Sequence, residues 1–119
     1  MINIKPLIFA ELEKLNVPVS FFYPSDWINL PCISYYEASN VEYLRTDNEE
    51  QLSDINIQID IWSNNPSENS TLALQVDEKM NSLGFVRQFC GDLFNDGVYH
   101  KTMRYRAIVD KNMNYVYQD

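Results

Sequence analysis

Glycine, cysteine and histidine are all scarce in this chain of 119 residues, which has three, two and one of them. The glycines, at positions 84, 91 and 97, lack the spacing of a P-loop or a dinucleotide-binding fingerprint, which excludes enzymes built on those motifs. Cys32 and Cys90 lie far apart without a CxxC pair, so we expect free, buried thiols in a reducing compartment. No metal site and no cofactor are predicted.

The chain also has no long apolar run and few positively charged residues. No stretch approaches the roughly 18 apolar residues of a membrane span, and Glu11 and Glu13 come too early for a signal peptide. We therefore expect a soluble protein that stays where it is made. The 17 acidic residues outnumber the 9 basic ones and give a net charge of −8. This charge opposes general binding to nucleic acid.

The residues that are present suffice for one hydrophobic core, since 45% are hydrophobic and 13% aromatic. Apolar spacing predicts a first helix over residues 4–15, with Pro6 in its first turn, and a short strand over 17–23. A second strand begins at Cys32. It is predicted to run into a projecting hairpin whose turn is Thr46-Asp47-Asn48.

The clearest periodicity lies in residues 54–63, where four isoleucines alternate with polar residues and so share one face of a strand. Asn65, Pro66 and Glu68 then supply the start signals of a second helix, and Gly84 its end. Two further strands flank Asn95-Asp96-Gly97, a hairpin signal.

The predicted fold is therefore α+β, in the order α-β-β-β-α-β-β. Two helices cover the isoleucine face of a twisted, mainly antiparallel sheet of about five strands. Residues 1–110 are predicted to form one domain, and residues 111–119 a C-terminal arm whose Tyr115 and Tyr117 contact a neighbouring subunit or another partner.

The other sheet face is predicted to be wet and to serve as a contact between subunits. Its candidate residues are Asn56, Gln58, Asp60, Arg104 and Arg106. The alternative for the basic residues, which include Lys101, is pairing across strands with Asp54 or Asp60 inside the subunit.

Catalytic groups do not converge in the sequence. His100 is the sole histidine, and catalysis would require Asp92, Asp96 or a distant acid to meet it. A hydrogen-bonded structural histidine is the favoured interpretation, so no catalytic residue is assigned and the protein is not expected to be an enzyme.

Four segments in succession carry a resemblance to a known family. They are PCISYYE at 31–37, IQIDIWS at 57–63, MNSLGFVR at 80–87 and KTMRYRAIVD at 101–110. In these segments and their spacing the chain resembles the small tail terminator proteins of tailed bacteriophages and prophages, which are also called tail completion or tail-to-head joining proteins. The likeness extends from the first helix to Asp110.

The resemblance implies a structural virion protein of the tail and neck, assembled in the host cytoplasm. It implies a hexameric ring that caps the head-proximal end of the tail tube, ends tube polymerisation and joins the head-completion or neck proteins. DNA would pass through the channel without specific binding. Contacts to the tube are predicted at Trp27 and at the hairpin residues Thr46, Asp47 and Asn48. Trp27 could equally cap the edge of the core.

Two alternatives remain open at this point. One is another phage component, such as a tube subunit or a different neck protein. The other is a small α+β ligand-binding or regulatory domain, which would be a monomer or a dimer.

Overall fold

The computed structural model describes residues 1–24, 30–95, 97–112 and 115–117, with backbone alone at 94, 95 and 115–117. Its elements in chain order are α1 (Lys5–Glu13), β1 (Val19–Phe21), β2 (Cys32–Thr46), β3 (Glu49–Ser63), α2 (Pro66–Ser82), β4 (Val86–Asn95), β5 (Val98–Asp110) and β6 (Tyr115–Tyr117). The predicted α+β fold and its order of elements are confirmed, and β6 is an unpredicted addition.

The strands form one sheet in the order β1-β2-β3-β5-β4, with β6 paired to β5. Only β1 runs parallel to its neighbour; the other described pairs are antiparallel. β4 begins opposite Arg106 of β5, whereas β6 pairs with Ile108 and Val109 of β5. β6 therefore follows β4 along the same side of β5.

The core lies between the sheet and the two helices. Ile55, Ile57, Ile59 and Ile61 are fully buried, as their alternation predicted. Both helices lie on this side, because their apolar residues belong to the same packed cluster. These residues are Ile8 and Leu12 from α1 and Leu72, Ala73, Val76 and Met80 from α2. Each buried isoleucine contributes about 1.5–3 kcal/mol relative to an exposed one.

The start and end signals of α2 act as predicted. The Asn65 side chain accepts hydrogen bonds from the backbone N–H groups of Ser67 and Glu68, at 2.9 and 3.2 Å. Pro66 occupies the first turn, where its missing N–H has no intrahelical acceptor. Gly84 has a φ of 88°, the left-handed conformation that ends a helix.

The β2–β3 hairpin turns through Asp47 and Asn48, whose φ angles of 54° and 62° are both positive. Such a two-residue turn fits the right-handed twist of the flanking strands. The predicted turn and the long strands on either side of it are confirmed. The β4–β5 hairpin is confirmed as well, with Gly97 at a φ of 85°; Asp96 lies outside the described residues.

Three sequence-based expectations need correction. α1 ends at Glu13 rather than at residue 15, and Asn16 is left-handed with a φ of 60°. β1 spans three residues, because Phe22 has a φ of 69° and turns the chain out of the strand. Cys90 is exposed, since it lies on the edge strand β4, whereas Cys32 is buried as expected.

Candidate functional site

The sheet face opposite the helices, which we call the open face, carries polar side chains from β3 and β5. The cross-strand partners are Asn56 with Arg106, Gln58 with Arg104, and Asp60 with Thr102. The structure thus brings all five residues of the predicted subunit contact onto one face. The alternation in β3 and β5 was sufficient to predict this grouping.

Arg106 is held inside the subunit by Asp54. Its Nε and one terminal nitrogen donate to the two oxygens of that carboxylate, at 2.9 and 2.8 Å, and both side chains are partly buried. Lys101 similarly lies 2.7 Å from the carboxylate of Asp92. The alternative of internal cross-strand pairing is therefore confirmed for Arg106.

Arg104 has a different environment. It is exposed, and its guanidinium donates to the side-chain carbonyl oxygen of Gln58 at 2.6 Å. This partner is uncharged, so the positive charge of Arg104 is presented on the open face. The sequence pattern grouped the two arginines together, but their environments differ. Arg106 pairs with a carboxylate of its own chain, whereas Arg104 donates to the uncharged side chain of Gln58.

One end of the open face is not wet, contrary to expectation. Asp60 is 3% exposed and Trp62 6%. His100 Nε2 lies 2.7 Å from Asp60 Oδ1, and the imidazole stacks on the Trp62 indole with ring centroids 3.8 Å apart. The Trp62 N–H donates to Ser34 Oγ at 2.8 Å. The Asp60 carboxylate and the Trp62 indole are therefore largely shielded from solvent.

His100 is thus a hydrogen-bonded residue, the favoured interpretation of the sequence. Its acidic neighbour is Asp60 rather than Asp92, which is exposed and pairs with Lys101. The other ring nitrogen, Nδ1, is buried and has no hydrogen-bond partner among the described residues.

Aromatic side chains that the sequence analysis did not single out adjoin this pair. Phe22 stacks on Tyr36 with centroids 5.1 Å apart. The Tyr23 N–H donates to the Phe21 carbonyl at 2.9 Å, which together with the positive φ of Phe22 defines a γ-turn. These aromatic residues and the Asp60–His100 pair border an open cavity of about 340 Å³. It is lined by Phe22, Tyr23, Tyr36, Gln58, Asp60, Trp62 and His100. We call it the aromatic cavity.

A second shallow cavity lies on the β4 side of the same face. Phe89 and Leu93 line it, and both are more than half exposed. The Phe89 ring lies across Gly91, where an added Cβ would come within 2.8 Å of the ring. A side chain at position 91 would therefore require the exposed Phe89 ring to move.

The sheet also presents long edges. Among the described strands, none pairs with the outer edge of β4, and β1 covers β2 only along residues 33–35. An uncovered edge is a template for a strand from another molecule.

The far end of the β2–β3 hairpin, residues 41–51, forms a ribbon with exposed apolar residues. Val41, Tyr43 and Leu44 are 60%, 54% and 46% exposed. Arg45 pairs with Glu42 at 2.6 Å, and this hydrogen bond lowers the pKa of the Glu42 carboxyl. The predicted tube-contact residues Thr46, Asp47 and Asn48 lie at the exposed tip.

The remaining predicted contacts are described in part or lie outside the described residues. Trp27 lies outside them. The backbone of Tyr115 and Tyr117 pairs with β5 of the same chain, so the arm is joined to its own sheet here. Lys111 connects this segment to the ribbon through its backbone N–H, which donates to the Gln51 carbonyl at 3.1 Å. Contact of the arm with a neighbour stays a prediction.

The fold and this surface define a two-layer α+β domain with one open sheet face. No protein-family model matches the chain, and no curated protein matches it either. Within the described residues, no group of three or more His, Cys, Asp or Glu side chains is placed to hold a metal ion. No described helix is both long and apolar enough to cross a membrane.

Proposed function

We propose that the protein is a tail terminator of a phage or prophage. In this proposal six copies close into a ring on the head-proximal end of the tail tube. The ring ends tube polymerisation and provides the joint to the head-completion or neck proteins. The resemblance of the four sequence segments motivates the proposal, and the α+β fold with the expected order of elements is consistent with it.

The observation that carries the proposal is the sheet, which leaves one face and long stretches of edge without cover in the described chain. Arg104 on this face and the exposed Phe89 and Leu93 beside it are available to a neighbouring molecule. Different surfaces on the two sides of a subunit favour a heterologous contact, and such contacts close into a ring when the rotation permits.

The ribbon is the proposed contact with the tail tube. An isolated two-stranded ribbon is marginally stable in water, and exposed apolar side chains on it favour a partner. Val41, Tyr43 and Leu44 provide that apolar surface, and the acidic tip provides polar recognition. A terminator must bind the last tube ring yet present a different surface above it, because a repeated surface would let the stack continue.

The charge of the chain suits a channel for DNA. Six copies at −8 each carry −48. Such a ring repels phosphate and lets DNA pass without gripping it. In this function the protein acts through surfaces rather than through a reaction, and it requires neither a cofactor nor a metal.

The test is removal of the protein from the phage that encodes it, followed by electron microscopy of the particles. We expect tails that are overlong or that fail to join filled heads, with rescue by the wild-type protein. Tails of normal length joined to heads in its absence would refute the proposal. An open polymer formed by the purified protein alone would instead identify a tube subunit.

A further inference from the structure

We infer that the aromatic cavity is a receptor for an arginine side chain presented by a partner protein. The inference goes beyond the proposed tail function, because it concerns which chemical group this surface recognises and holds for any partner that offers it. It is carried by a buried carboxylate at the base of an open, aromatic-walled cavity.

The carboxylate of Asp60 retains capacity to accept hydrogen bonds. An ionised carboxylate has about four acceptor sites. His100 Nε2 takes one on Oδ1 at 2.7 Å, and Gln58 Nε2 lies at 3.4 Å from both oxygens, too far for a strong bond. Two donors in the geometry of a guanidinium could therefore bind where Gln58 now makes its long contacts.

The walls of the cavity suit a planar cation. Phe22 and Tyr36 are stacked nearly parallel, with 12° between their planes, and Phe22 and Tyr23 are 49% and 70% exposed. A guanidinium can stack on an aromatic face while its N–H groups donate within its own plane, which an ammonium cannot do. The combination of aromatic walls with a carboxylate base thus favours arginine.

A partner protein is the source that fits best. Exposed tyrosine and phenylalanine side chains around an arginine are typical of the energetically dominant centre of protein interfaces. The net charge of −8 also attracts a partner with a positive surface. Phe22 is held in its position by a backbone φ of 69°, which is unfavourable for a bulky residue unless its surroundings enforce it.

The experiment is a titration of the full, isotope-labelled chain, followed through the indole N–H signal of Trp62. The probe is N-acetyl-arginine methylamide, and the matched neutral probe is N-acetyl-citrulline methylamide, which has nearly the same shape. We expect a saturable shift with the arginine probe and about tenfold weaker binding of the citrulline probe. Equal binding of the two probes, or no saturable shift with arginine, overturns the inference.

Two variants and a control locate the site. Asp60→Asn should weaken binding of the arginine probe about tenfold, and Tyr36→Leu severalfold. Phe89→Leu, in the other cavity of the same face, should leave binding unchanged. If Asp60→Asn fails to fold, the affinities of Tyr36→Leu and Phe89→Leu for the arginine probe are compared to test the location of the site. Equal losses in those two variants would contradict the assignment.

Discussion

Arg104 and Arg106 lie two positions apart on β5, and a charge reversal should affect them differently. Arg106→Glu removes two hydrogen bonds to Asp54 and brings two carboxylates close together on neighbouring strands, so we expect a loss of about 1–3 kcal/mol in the free energy of unfolding. Arg104→Glu removes one exposed hydrogen bond and should change it by less than about 0.5 kcal/mol. Urea unfolding measures both values, and the reverse ranking would contradict the assignment of roles.

This difference makes Arg104→Glu the informative variant for assembly. Rings on tail tubes should be lost in it while the unfolding midpoint stays the same, if the open face is a contact between subunits. Arg106→Glu cannot serve this purpose, because weaker assembly could follow from a weaker fold.

The raised pKa of Tyr105 predicts how the free energy of unfolding depends on pH at alkaline pH. Burial raises its pKa above the usual value of 10.0, and so does its hydrogen bond to Asp77 at 2.8 Å. The unfolded chain therefore loses this proton at lower pH than the folded chain does. Tyr105 should leave the free energy of unfolding unchanged below about pH 10 and lower it above that pH, by up to about 1.4 kcal/mol per pH unit for one proton.

The check is the alkaline slope of stability in Tyr105→Phe. This variant has no proton to lose, so its slope should be smaller than that of the wild type. Some slope should persist, because burial also raises the pKa of Tyr35. An unchanged slope in Tyr105→Phe would show that another group causes the alkaline loss.

At the scale of residues, the sequence placed the five open-face residues correctly but missed the pair of Asp60 and His100. That pair depends on the register between β3 and β5, which sets residues 40 positions apart next to each other. Periodicity predicts faces, but it contains no information on register. The γ-turn at Phe22 was missed for a related reason, because positive φ is rare for an aromatic residue.

At the scale of elements, the ribbon should be needed for binding the tube and dispensable for folding. Tyr43 and Leu44 are about half exposed, so the double variant Tyr43→Ser, Leu44→Ser should leave the unfolding midpoint nearly unchanged and abolish co-sedimentation with tail tubes. Leu74→Ser, which alters a still more exposed leucine on α2, is the control and should bind as the wild type does. Tube binding by the double variant would place the contact elsewhere.

The elements themselves were largely predictable because each has a local cause. The isoleucine alternation set the face of β3, Asn65 and Gly84 set the ends of α2, and Asp47-Asn48 set the turn of the ribbon. β6 was missed because it is only three residues long and lies in a polar segment that shows no strand pattern. Its pairing with β5 is visible only in the structure. The expectation of a wholly separate arm followed from that polarity.

At the scale of the whole molecule, the domain is elongated, with principal extents of 52, 24 and 23 Å. The β2–β3 hairpin has two strands of 15 residues each, and strands of that length span about 50 Å at roughly 3.3 Å per residue. The hairpin thus accounts for the long axis. A subunit of this shape can contact its neighbours through the body and a different ring through the ribbon.

The most direct test of a terminator is the mass of what it forms on tail tubes. Light scattering of the purified protein, alone and with short tubes of the matching tube protein, measures this. The prediction is saturation at one closed ring on one end of each tube, six copies of 14.0 kDa or 84 kDa, after which tubes no longer elongate. Continued growth of the tubes in its presence, or a monomer that leaves tube length unchanged, would contradict it.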